Sequence, residues 1–270
     1  MKGYDPFVLH RDGINLEGFI QQGTGPIVVL QHGLCGDANQ PAGLFPADTG
    51  FRHAVLTCRG HGQTQVGPED QLSIATFTDD LAAMIASFAA PVAAVGGVSM
   101  GAAIALRLAV LRPDLVPALI LVRPAWVVDT APANMLPIAV VGGMIAAGYG
   151  VADFEQTALA TTLAVQSPDN LASLRGFFDR TPLPVTAALL RRISADGPGV
   201  TQAELATLAL PVLILGCAQD VIHPIAHAQR SESLIPGSRL VEVPPKGQNL
   251  AAHTAGVQDA IAEFLKGLHP

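Results

Sequence analysis

Five continuous apolar runs constrain the fold of this 270-residue chain more than any other feature. They are PIVVLQ (Pro26–Gln31), HAVLTC (His53–Cys58), PVAAVGG (Pro91–Gly97), ALILV (Ala118–Val122) and PVLILG (Pro211–Gly216). A strand with one wet face alternates polar and apolar residues. A run without alternation fits a strand covered on both sides, the habit of parallel sheets. Helical stretches lie between the runs. Ile74–Ala89 carries apolar residues at helical spacing, with Ser73 and Thr76 available as caps near its start, and Met100–Arg112 forms a second helix that ends before Pro113. Strands alternating with helices predict the α/β class: a mostly parallel sheet with helices on both faces.

Elsewhere the pattern changes. FVLH and LEGFIQQG, flanking RDGIN, predict an amino-terminal hairpin. After Val122 no convincing strand occurs until Pro211, and the intervening residues read as helices and loops. The alternation then resumes with a helix near Ala226–Leu234, the run SRLVEV (Ser238–Val243) and a last helix through Phe264. The expected organisation is a core of residues 1–123 and 209–270, interrupted by a helical insertion over 124–208.

Composition narrows the function. Half of the residues are hydrophobic and 14% are charged, which supports a large core and excludes disorder. A formal net charge of -7, with no lysine or arginine run, argues against nucleic acid as a partner. Cys35, Cys58 and Cys217 form no zinc or redox spacing and predict a reduced, cytoplasmic setting. MKGYDPFVLHRDG contains no apolar signal region. Thr130–Ala152 has no charged residue, and it approaches the ~20 residues that a membrane helix needs. Pro137 and the glycines between Gly142 and Gly150 interrupt it, so a buried helix or an apolar lid is expected instead.

One serine stands out. Gly97-Val98-Ser99-Met100-Gly101 is G-x-S-x-G with a strand before it and a helix after it. A sharp strand-to-helix turn needs small neighbours and lifts the hydroxyl above the sheet edge, as a nucleophile requires. The bland alternative is a serine capping a helix in a glycine-rich turn. LQHGLCGD (Leu30–Asp37) follows the first buried run and would set the Leu34 amide beside the Met100 amide as an oxyanion hole. One such donor is worth ~2.7–4 kcal/mol in a transition state. His32 is read as a residue that shapes this loop.

With these motifs the chain resembles the α/β-hydrolase family over nearly its whole length: QHGLCGD, CRGHGQT, GGVSMGA at the turn, a helical cap, then LGCAQD. The resemblance implies a serine, acid, histidine order, with Ser99 as nucleophile and Asp220 as the acid that orients the imidazole. It also implies a histidine soon after the last strand, but VEVPPKGQNLAAHTAG puts Gln248 there. An amide cannot accept a proton near neutral pH.

Several readings stay open. His253, five residues on, is the tentative base, although five helical positions move a side chain by about 7.5 Å and to another face. His223, in QDVIHP on the acid loop, is the other candidate, its alternative being a surface turn residue beside Pro224. The histidine could also be lost, leaving a non-catalytic or weakly active ligand-binding protein, or the frame could serve a lyase or perhydrolase. His10, His53, His61, His227 and His269 have no motif reason to meet Ser99. Cys35 is a remote nucleophile candidate. For the pocket, Trp126 follows a strand end and Arg123 could meet a substrate carboxylate or pair with the cap. Met135, Met144, Phe154, Phe177 and Phe178 are candidate cavity residues or plain core. The expected activity is hydrolysis of a small apolar carboxylic ester or related acyl compound, without metal or organic cofactor. The partner is then the small-molecule substrate, with no nucleic acid or membrane, and a homo-oligomer is compatible with the sequence.

Overall fold

The computed structural model describes residues 1–268. All eight strands join one sheet, in the order β1-β2-β4-β3-β5-β6-β7-β8. The predicted hairpin is β1 (Tyr4–Arg11) and β2 (Ile14–Gln21), antiparallel to each other, and β2 is antiparallel to β4. β3 (Ile27–Gln31), β4 (Arg52–Leu56), β5 (Val92–Val98), β6 (Leu119–Val122), β7 (Val212–Gly216) and β8 (Arg239–Glu242) run parallel. β3, β6 and β7 are buried at every position. Their apolar runs lack alternation because both faces are covered: Val28, Leu30, Leu213 and Leu215 enter one core, Ile27, Val29, Val212 and Ile214 the other.

Eleven α-helices and three single-turn 3-10 helices complete the described residues. α1 (Asn39–Leu44) follows β3, α2 (Ile74–Ser87) follows β4 and α3 (Met100–Leu111) follows β5. Ser73 caps α2 by accepting from the Thr76 N–H at 3.1 Å, as its position predicts. Between β6 and β7 there is no strand, and the segment holds α4 (Leu136–Ala146), α5 (Val151–Glu155), α6 (Ala158–Gln166), α7 (Pro168–Gly176), α8 (Leu183–Ser194) and α9 (Gln202–Leu205). α10 (Ile225–Leu234) precedes β8 and α11 (Leu250–Lys266) closes the described chain. Within the charge-free stretch around residue 140, one face of α4 is buried, with Ile138, Val141, Gly142 and Ile145 on it. A Cβ added at Gly142 would lie 2.8 Å from that of Leu190, so the glycine lets α4 settle closely on α8. No helix of the described residues is long and apolar enough to cross a membrane.

The order of winding locates the site. The chain passes from β3 outward to β4, then returns to place β5 on the other side of β3. Loops leaving the carboxyl ends of β3 and β5 therefore diverge, and such a reversal point opens a crevice above the sheet. Gln31 and Gly97 are paired in register, which brings the His32–Asp37 loop and Ser99 together at that edge.

Candidate active site

Ser99 occupies the crevice at φ 55° and ψ -111°, a conformation that costs a non-glycine residue about 1–3 kcal/mol. Its neighbours make the bend feasible. A Cβ at Gly97 would collide with the Gly101 carbonyl, and one at Gly101 with the Gln31 carbonyl. Only glycines let α3 start this close to β5 and β3. The Ser99 N–H donates to the Val122 carbonyl at 3.0 Å, tying the turn to β6.

Ser99 Oγ lies 2.8 Å from His223 Nε2. His223 Nδ1 is 3.0 Å from both Asp220 carboxylate oxygens, and the His223 N–H donates to Asp220 Oδ1 at 3.0 Å. Two acceptors at Nδ1 assign the proton there, which leaves Nε2 as an acceptor toward the serine hydroxyl. The acid and the imidazole are thus three residues apart in one loop. Arg123, at the end of β6, donates from Nε to Asp220 Oδ2 at 2.9 Å and from Nη2 to the same oxygen. Its Nη2 also lies 3.1 Å from His223 Nδ1, where two donors face each other.

These neighbours set the protonation states. Burial would raise the Asp220 carboxyl, but the charges and hydrogen bonds of His223 and Arg123 outweigh it and hold the group far below the usual carboxylate range. Burial pushes His223 below its ordinary 6.5, Asp220 opposes this, and Arg123 reinforces it. A neutral imidazole between a serine hydroxyl and a carboxylate can take a proton at neutral pH.

In the loop after β3 most main-chain donors are already engaged. Gly33 N–H donates to Gln40 Oε1 at 2.7 Å, Cys35 N–H to His61 Nε2 at 2.9 Å and Gly36 N–H to the Gly33 carbonyl at 3.0 Å. Among the described residues the Leu34 and Met100 N–H groups have no protein acceptor. His32 is structural, as read from sequence: Nδ1 donates to the Gly33 carbonyl at 2.8 Å and Nε2 accepts from the Cys58 N–H at 3.0 Å. Burial pushes it down to about 4, so it stays neutral.

Other expectations need revision. His253 is buried in α11, where Nδ1 meets the Pro244 carbonyl at 2.9 Å, and it makes no contact with Ser99. The final helix begins too early for His253 to reach the sheet edge. Gln248 is exposed and donates from Nε2 to Gln219 Oε1 at 3.0 Å. Trp126 is buried core rather than pocket wall, its Nε1 donating to the Asp196 carbonyl at 2.9 Å. Arg123 does line the cavity, yet its partner is Asp220 rather than a residue of the helical segment. Burial pushes the Cys35 thiol up to about 12, the wrong direction for a nucleophile. His269 lies outside the described residues.

A cavity of about 220 Å³ opens beside Ser99 and His223. Leu34, Met135, Ile138, Phe177 and Ile222 give it apolar walls, with Lys246 among its polar residues. Met144, Phe154 and Phe178 do not line it; Phe154 is buried and stacks on Phe178 with ring centres 5.7 Å apart. Among the described residues no group of three or more His, Cys, Asp or Glu side chains could hold a metal ion.

The family described as alpha/beta hydrolase fold matches residues 26–251, most of the chain. This chain belongs to the α/β-hydrolase family. A protein provisionally named carbamate hydrolase RutD, from Klebsiella pneumoniae strain 342, is 27% identical over 247 residues, covering 87% of each chain. Among solved structures, MGS-M2, an α/β hydrolase from a Medee basin deep-sea metagenome library, is similar with a TM-score of 0.74 at 17% identity, covering 94% of this chain and 97% of that one. A thermophilic esterase from Thermogutta terrifontis is similar with a TM-score of 0.70 at 23% identity, covering 99% of both chains. At these identities the two structures speak for the fold alone. As an α/β hydrolase, this chain keeps the serine, acid, histidine order that the family resemblance implies but not the expected place of the histidine, because the imidazole beside its serine precedes the last strand. Asp-x-x-His at the end of a buried strand was the available signal; what it lacked in sequence was any measure of which loop bends toward Ser99.

Proposed function

We propose that the chain is a serine hydrolase of small, largely apolar carboxylic esters, working through an acyl-enzyme on Ser99. The observation that carries this reading is the 2.8 Å contact between Ser99 Oγ and His223 Nε2, backed by Asp220 on Nδ1. In the first step His223 takes the Ser99 proton as Oγ bonds to the ester carbonyl carbon. The resulting oxyanion accepts hydrogen bonds from the Leu34 and Met100 N–H groups. The tetrahedral intermediate then collapses, the imidazolium gives its proton to the departing alkoxide, and an alcohol leaves. A water attacks the acyl-enzyme by the same route and releases the acid. Asp220 stays ionised and steadies the imidazolium.

The helical segment over 124–208 serves as a cap, contributing Met135, Ile138 and Phe177 to the cavity wall. A cavity of about 220 Å³ lies below the ordinary ~300–1,000 Å³ of drug-sized sites and favours short acyl groups. Carbamates, the class in the name of the RutD relative, would follow the same acyl-transfer path. A fluorophosphonate probe tests the proposal. Stoichiometric labelling that maps to Ser99 and vanishes in Ser99→Ala is expected. An unlabelled, folded protein that still binds a short-chain acid would instead indicate a binding protein without turnover.

A further inference from the structure

The loop that carries the acid and the imidazole is tied to the sheet edge through the Arg123 side chain on Asp220, and its main chain is not bonded to the sheet. From Cys217 to His223, no backbone N–H or C=O makes a backbone–backbone hydrogen bond among the described residues. Buried main-chain groups need partners, and four of those in this loop find them on three side chains from the helical segment between β6 and β7. Asn170 Oδ1 accepts from the Val221 N–H at 2.8 Å and the Ile222 N–H at 3.2 Å. Ser167 Oγ donates to the Gln219 carbonyl at 2.8 Å, and it also lies 2.9 Å from Asn170 Oδ1. Asn134 Nδ2 donates to the Ile222 carbonyl at 2.6 Å and to the Ala125 carbonyl at 2.9 Å. Asn170, on the wall of the cavity beside Ser99, is 2% exposed, and Ser167 is fully buried.

We propose that Asn170 is a positioning residue for His223, acting through the Val221 and Ile222 N–H groups it holds, so that the helical segment sets where the imidazole stands relative to Ser99. The reasoning is geometric. The bonds between Asp220 and His223 lie within the loop, and they would travel with it if it moved. The Asn170 bonds fix the loop to α7. The Asn170 Nδ2 group makes no hydrogen bond to protein among the described residues, so the acceptor oxygen is the working atom. Any movement of α7 on substrate entry is then transmitted to His223.

This inference rests on the reading of His223 as the general base, and the experiment separates the two. Asn170→Ala removes the acceptor, while Asn170→Asp keeps an oxygen facing the Val221 and Ile222 N–H donors. The expected result for Asn170→Ala, in protein that still melts cooperatively, is a loss of fluorophosphonate labelling rate and kcat on the order of 10²-fold with KM little changed. Asn170→Asp should recover most of that loss. The His223 Nδ1 proton resonance, read by NMR, should broaden or shift in Asn170→Ala and return in Asn170→Asp. Ser167→Ala is the milder variant should Asn170→Ala fail to fold, with the same changes expected at smaller size. Wild-type labelling rates and an unchanged imidazole resonance in Asn170→Ala or Ser167→Ala would overturn the proposal, as would Asn170→Asp behaving like Asn170→Ala. If the wild-type protein itself is not labelled, the hydrolase reading fails, and the NMR comparison alone decides whether Asn170 holds the imidazole.

Discussion

The turns after β7 and β8 leave the same edge of the sheet, yet they satisfy their main chains in opposite ways. Past β8, the Val243 N–H donates to the Gly216 carbonyl at 2.9 Å, and the Gln248 and Asn249 N–H groups donate to the Pro245 carbonyl at 3.1 and 3.2 Å. That turn closes on core backbone and on itself, and α11 follows directly. Past β7, the loop depends on Asn134, Ser167 and Asn170 from the helical segment. One turn is self-contained and exposes Gln248; the other is braced from outside and presents His223 to Ser99. A turn that depends on outside partners can be aimed by them, so a residue can hold a reactive position without the sheet prescribing it.

The largest test of this contrast exchanges the two imidazoles for methyl groups. His223→Ala should lower turnover by about 10⁶-fold, the scale seen when a serine enzyme loses its base. His253→Ala, measured under the same steady-state conditions, should leave turnover near wild type, because that ring serves the Pro244 carbonyl. Next in size is Asp220→Asn, which keeps the shape but lets the imidazole adopt the wrong tautomer. A drop in kcat of about 10⁴-fold is expected.

The pH profile gives a subtler probe. Burial and the Arg123 charge hold His223 below 6.5, so the imidazole is neutral above its lowered pKa and protonates only in more acidic solution. Activity should therefore persist below pH 6.5 and fall as pH drops through the folded value. In Arg123→Met the guanidinium no longer opposes protonation, and the acid limb of kcat/KM should move to higher pH. The smallest effect is assigned to Trp126. Trp126→Phe removes the bond to the Asp196 carbonyl and should cost about 1 kcal/mol in denaturant unfolding, with kcat unchanged.

Much of this architecture is legible in the residues. β3, β6 and β7 announce themselves because burial on both faces forbids polar positions, and Ser99 because Gly97 and Gly101 are dictated by steric contact. Asp220 follows from the end of a strong strand. α1 was hidden because Asn39–Leu44 contains both Pro41 and Gly43, which weaken a helical pattern. Trp126 misled because a strand-end position says nothing about which carbonyl its indole will find. His223 was visible as a candidate but could not be ranked above His253. Its direction is fixed by Asn170 and Asn134, which lie more than 50 residues away in the chain, and such bracing leaves no local periodicity or spacing to read.

The most direct measurement is a crystal structure of the protein after reaction with a fluorophosphonate. Phosphorus should be bonded to Ser99 Oγ, with the phosphoryl oxygen roughly 2.7–3.1 Å from the Leu34 and Met100 nitrogens and His223 still beside the adduct. An adduct on another residue, or one at Ser99 with His223 turned away and a different base in its place, would contradict the account.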